Sequence, residues 1–204
     1  LKVREWFAPD SAVAHFSSFP PSGARVSSLI LEPLLSYASD GSLLPTLVTQ
    51  VPTKENGGLS EDLTKVTLEL RDDIVWSDGE PLTADDVVWT RTWVIDDASQ
   101  TTTGWWWDPI QSIEAIGPKR VELTYAQPNL AWFVPITGSH HGAIIPHHLW
   151  RDGTHAAVNA EFMFNPIGTG PYKVESFVPG DHVVCTINER YREPNKPFFE
   201  TVRF

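Results

Sequence analysis

Residues 71–91, RDDIVWSDGEPLTADDVVWTR, constrain the fold more tightly than any other part of this chain. An alternating stretch leads into them. Val66, Leu68 and Leu70 face one way and Lys65, Thr67, Glu69 and Arg71 the other, the period of a half-buried strand over Thr64 to Arg71. Asp78-Gly79 then predicts a tight turn. Thr83 opens a helix at Ala84, with Asp86 three residues on, where a capping box usually has Glu or Gln. Asp85 and Asp86 also lie where the positive end of a helix favours acids. Strand, turn and capped helix in this order specify structure and carry no chemistry.

The remaining segments mix strands and helices without regular alternation, an α+β (mixed α/β) layout. Leu1 to Phe7 is expected to be extended and ended by Ala8-Pro9-Asp10, with a polar loop to Pro21. Ser22 can cap a helix through Leu31, with Val26, Leu29 and Ile30 at helical spacing, and Pro33 kinks or ends it. Val121, Leu123 and Tyr125 alternate with Arg120, Glu122 and Thr124 as a second strand. Helices are expected over 84–95 and around 127–135, with Pro128 early in the latter. Tyr172 to Val178 and His182 to Ile187, joined by Pro179-Gly180-Asp181, read as a hairpin.

Charge narrows the partners. Fifteen basic against 26 acidic residues give −11, and no basic run occurs, which argues against nucleic acid or an anionic membrane surface. A hydrophobic content of 41% with 20% charged residues is that of a folded globular chain. The single cysteine, Cys185, excludes an intramolecular disulfide and a Cys-rich zinc site, and its alternating surroundings predict a buried structural thiol. No run is long enough to span a membrane as a helix. Beginning at Leu1, the chain is expected to be a processed or trimmed piece.

Three constellations invite a functional reading. Trp105, Trp106 and Trp107 are consecutive among nine tryptophans, and three adjacent indoles cannot all face one core, so at least one should meet solvent or a cleft. His140-His141 and His147-His148 tempt as metal ligands, but adjacent histidines on a strand point to opposite faces and no carboxylate sits at metal-site spacing. A structural or surface role is the expectation, with no metal and no cofactor. Gly168-Thr169-Gly170-Pro171-Tyr172 lacks phosphate-loop spacing and reads as a tight backbone turn entering a strand. Neither a GxSxG elbow nor an HExxH pair is present, and nothing points to catalysis.

Taken in order, several segments resemble the family 5 extracellular solute-binding proteins of ABC importers. The 71–91 string is the strongest, with Asp78, Gly79 and Thr83 as its structural marks. Glu32-Pro33-Leu34-Leu35, Glu55-Asn56-Gly57-Gly58, Ile144-Ile145-Pro146-His147-His148-Leu149 and Gly168 to Tyr172 follow in the family's order, with His147 where the family usually has Lys. The resemblance implies a periplasmic-binding-protein-like lobe I, with 1–48 and 142–204 as a main sheet subdomain and 49–141 as a smaller insertion. Lobe II would lie outside this chain. It also implies an extracytoplasmic receptor, in the periplasm or at the cell surface, that binds a small solute between two lobes and delivers it to a membrane permease. The Glu55 segment favours the oligopeptide branch; a metal-chelate or sugar receptor of the same fold, or a His-based hydrolase, are the alternatives. Ligand contacts implied by the resemblance are Trp105, Trp106 and Trp107 together with Ser139, His140 and His141. A half-cleft with exposed apolar surface is expected to self-associate.

Overall fold

The computed structural model describes residues 1–3, 9–17, 20–151 and 155–204. Three small antiparallel sheets and three α-helices make up its regular structure, with 3-10 turns between them. A helix α1, Pro20–Ile30, precedes a short pair, β1 (Leu35–Tyr37) and β2 (Leu43–Pro45). Strand β3 (Lys65–Glu69) comes next, then helix α2 (Ala84–Ile95), and then β4 (Ile110–Gly117) and β5 (Arg120–Tyr125), the sheet running in the order β3-β5-β4. After helix α3 (His155–Phe162), strands β6 (Tyr172–Val178), β7 (His182–Ile187) and β8 (Thr201–Arg203) form the third sheet in sequence order. Val3 donates its N–H to Arg203, so the first and last described residues share that sheet.

The alternation read in the sequence is what buries each strand. Val66 and Leu68 of β3 and Val121, Leu123 and Tyr125 of β5 point into one core, while Lys65 and Glu69 face water. Helix α2 lies across β4 and β5 and buries Val87, Trp93 and Val94. Its start is held as the capping box predicts: Asp86 accepts the Thr83 N–H at 2.7 Å. The same carboxylate also accepts the His147 N–H at 2.8 Å, 61 residues away. Burial pushes the Asp86 carboxyl up, against these hydrogen bonds, which pull it down. The turn before it closes with the Gly79 N–H on the Trp76 carbonyl, and Gly79 adopts the left-handed φ of +105°. Cys185 is buried in β7, and burial pushes its thiol up to about 12, an inert state.

Some expectations are corrected. The segment 127–135 forms no α-helix: turns lead into a 3-10 helix at Val134–Ile136. Pro128 and Pro135 remove two backbone donors, and Asn129 accepts the Ala131 N–H with its own side chain, which holds a turn instead. Helix α1 begins at Pro20, so Ser22 lies inside it, and two prolines in a first turn sacrifice no helical bond. The histidine pairs are not on strands: 140–141 sit in a turn and 147–148 in a 3-10 helix, His147–Trp150. Gly168 and Gly170 are not among the residues with positive φ; close approach is what requires them. The expected extended segment and loop at the start fall partly on residues 4–8, 18 and 19, outside the described residues.

Strand β4 and helix α3 have no clear sequence signal. Register shifts at Ile110/Ser112 and Ala115/Gly117 break the period in β4. Helix α3 is placed by Asn159, whose side-chain oxygen accepts the indole N–H groups of Trp93 at 3.0 Å and Trp150 at 3.1 Å. Its amide donates to the Ser99 carbonyl at 3.1 Å. One buried asparagine thus ties together α2, α3 and two 3-10 turns.

Candidate functional site

The tryptophan triplet arrives at the surface directly after α2. A 3-10 turn at Asp97–Ser99 reverses the chain, and a second at Gly104–Trp106 begins the triplet. Gly104 is required there, because a Cβ would collide with the Val94 carbonyl at the end of α2. The three indoles then take three different environments, as their adjacency demands. Trp107 is fully buried and donates its N–H to the His141 carbonyl at 2.8 Å. Trp106 stacks on the His141 ring, centroids 4.1 Å apart and planes 10° apart. Trp105 stacks on Trp106 at 4.1 Å and is 61% exposed. His141, Trp106 and Trp105 therefore form one ring stack that runs from the protein outward to solvent.

A groove of about 660 Å³ opens beside this stack. Trp105, Trp106, Pro109, Val134 and Pro135 supply its apolar walls, and Asp108, Gln127 and Asn129 its polar ones. Trp107, Ser139, His140 and His141 are not among the lining residues; they stand behind it. Ser139 is half-buried in the turn after Gly138, whose φ is +80°. His140 meets His141 edge-on at 5.8 Å. His141 Nε2 bonds the Val134 carbonyl at 2.8 Å and so carries the proton, which leaves Nδ1 an acceptor. That Nδ1, His140 Nε2 and Trp106 Nε1 are buried polar atoms without a hydrogen-bond partner. They are concentrated at the ring stack.

Beneath this turn lies a histidine that sequence reasoning missed. His15 is fully buried; its Nε2 donates to the Ala143 carbonyl at 2.9 Å and its Nδ1 accepts from the Thr103 hydroxyl. It joins the segment before the triplet to the segment after His141. Burial lowers its pKa from 6.5 to about 4, and burial lowers His140 and His141 in the same direction. Between pH 6.5 and 4 the unfolded chain holds a proton at His15 that the fold rejects, so its contribution is complete above 6.5 and lost as pH falls toward 4. The loss is on the order of 3 kcal/mol. His15→Asn should therefore lower the thermal midpoint at neutral pH and flatten its decline with acid. Equal pH slopes in both proteins would refute this assignment.

The second histidine pair belongs elsewhere. His148 Nε2 meets Asp78 at 2.7 Å, and the His147 ring packs on Trp89 at 5.1 Å. Both lock their segment to the 76–89 stretch. Among the described residues, no three His, Cys, Asp or Glu side chains are grouped to hold a metal ion. No helix among them is long and apolar enough to cross a membrane.

Comparison with known sequences decides the family. The profile of bacterial extracellular solute-binding proteins, family 5 (middle region), matches residues 47–204. The chain belongs to this family. As a family 5 chain it is 29% identical over 169 residues to protein XP55 of Streptomyces lividans, covering 83% of this chain and 29% of that protein. It is also 29% identical over 154 residues to the oligopeptide-binding protein AppA of Bacillus subtilis, covering 73% of this chain and 26% of that one. The crystal structure of AppA with a nonapeptide superposes at a TM-score of 0.85, with 20% identity over 100% of this chain and 39% of that one. NikA of Brucella suis with Fe(III)-EDTA gives 0.81, at 24% identity, over 100% and 38%. These structural likenesses establish the fold, that of a periplasmic binding protein. This family 5 chain spans less than a third of the length of XP55 and AppA.

Proposed function

We propose that this chain supplies one wall of the solute cleft in the extracytoplasmic receptor of an ABC importer, and that the solute is an oligopeptide. A lipid anchor or secretion would then hold the longer protein outside the membrane, near its permease. The observation that carries the reading is the groove of about 660 Å³ walled by the Trp105–Trp106 stack, whose apolar lining is interrupted by Asp108, Gln127 and Asn129. The Gln127 and Asn129 side chains can pair with a peptide backbone, while its side chains lie on the apolar walls. The named peptide binding of AppA supports this choice of solute. Closure would follow from ligand contacts that favour the closed arrangement of two lobes. No reaction is assigned to the chain.

Calorimetric titration of a tripeptide-to-pentapeptide library tests the reading, both with this chain and with a protein that carries it together with a second lobe. Saturable heat in the two-lobed protein, reduced by Trp106→Ala, is the expected result. No heat with any peptide in either protein would remove the peptide reading and turn attention to metal chelates and sugars.

The division into a main subdomain (1–48 and 142–204) and an insertion (49–141) is retained in this proposal. Self-association is also expected. Leu130 is 81% exposed in the loop beside the groove, and Trp105 projects from its wall. Sedimentation velocity should show mass rising with concentration, and Leu130→Ser with Trp105→Ser should suppress it. A monomer at every concentration would refute this expectation.

A further inference from the structure

The groove has an uneven charge inventory. Among the described residues, Asp108 is its only charged lining residue, and no Lys, Arg or His lines it. Among the described residues the Asp108 carboxylate has no hydrogen bond or ion pair. Arg91 is close enough to feel its charge, but that guanidinium donates to the Ile110 carbonyl at 2.6 Å and the Gln111 carbonyl at 3.2 Å. Trp105 and Asp108 also line a second groove, of about 290 Å³, together with Asp96 and Asp97. An indole stacked on one face and 61% exposed keeps its other face open to a ligand. Carboxylates are among the lining residues of both grooves that it borders.

We infer that this wall of the cleft selects a cationic group on an apolar stem, the chemistry of an arginine or lysine side chain, with the cation between the Trp105 ring and the Asp108 carboxylate. The inference rests on the reading of this groove as the solute site. Three features of the groove point the same way. The negative face of an indole attracts a cation, and Trp is the strongest of the aromatic side chains in this respect. A carboxylate supplies a charge-assisted hydrogen bond to a guanidinium or ammonium. Ala131, Val134 and Pro135 line the same groove with apolar surface on which an alkyl stem can lie. A solute carboxylate placed there would face Asp108 and, among the described residues, no cation in the lining. The chain's net charge of −11 would also draw cationic solutes toward it.

The test compares acetyl-Ala-Arg-Ala-amide with its citrulline twin, which keeps the shape and removes the charge. Binding is read by the indole ¹H–¹⁵N signals, with Trp105→Leu identifying the Trp105 signal. The arginine peptide should bind about tenfold more tightly, and move the Trp105 signal most. Asp108→Asn and Trp105→Leu should each shrink that ratio toward one. Equal affinities for the two peptides would overturn the cation inference and leave the peptide reading standing. If neither peptide binds, n-butylguanidinium and n-butylurea take their place. A guanidinium preference that Asp108→Asn abolishes would uphold the cation site and reject the peptide reading. No preference, or no binding, would overturn the inference.

Discussion

Arg192→Ala should cost this fold about 3–5 kcal/mol, the range for stripping one partner from a buried ion pair. Arg192 grips Glu32 with two nitrogens, at 2.6 and 2.9 Å, and both side chains are about nine-tenths buried, at 9% and 10% exposure. The guanidinium also lies 5.0 Å from the centre of the Tyr191 ring. Removing it leaves the Glu32 carboxylate buried without its counter-charge, and that desolvation dominates the loss. Urea unfolding of the variant measures it. The double variant Glu32→Leu/Arg192→Met should recover most of the loss, because an apolar pair of similar volume replaces the buried charges without stranding one. A single-variant loss no larger than that of an exposed pair would show that water reaches Glu32 freely.

Gly168→Ala should be comparably severe, at about 3 kcal/mol or more, because the obstacle is backbone that cannot move aside. A Cβ at this position would collide with the Ile30 carbonyl oxygen at the end of α1. The Gly168 carbonyl also accepts the Ser77 N–H at 2.9 Å, and the Gly170 N–H donates to Ile30 at 2.8 Å. Both neighbouring segments hold the glycine in place. Gly41→Ala is the control, since Gly41 has a φ of +85° but open space around it. That variant should lose only about 1 kcal/mol, the cost of a left-handed backbone at one residue. If the two variants prove equally stable, close packing is not what selects glycine at 168.

These two sites also mark where sequence reasoning stops. The capped start of α2, the Gly79 turn, the alternation of β3 and β5 and the hairpin of β6 and β7 were legible because each is written in residues within about one turn or one strand of each other. The Glu32–Arg192 pair spans 160 residues, and Asn159 reaches 66 residues back to Trp93. No local period announces such partners. Gly168 was recognised as structural, yet its reason, the carbonyl of α1, lies far away in sequence. For the site, adjacency alone required the three tryptophans to diverge. It did not say that Trp107 would be the buried one, or that His15 would sit under the His141 turn. The missed strand β4 and the misread 127–135 segment share a cause, local irregularity that hides a period or mimics one.

The Glu32–Arg192 pair has a further consequence for the order in which the molecule can be made. A ribosome delivers residue 32 long before residue 192, and Val3 before its sheet partner Arg203. Until residue 192 emerges, Glu32 keeps its water, and the end of α1 waits for Gly168. Contacts so distant along the chain close late and slowly. A nascent chain stalled before residue 192 should therefore remain protease-sensitive around α1, while the segment 65–125, whose sheet β3-β5-β4 is local, can already be protected.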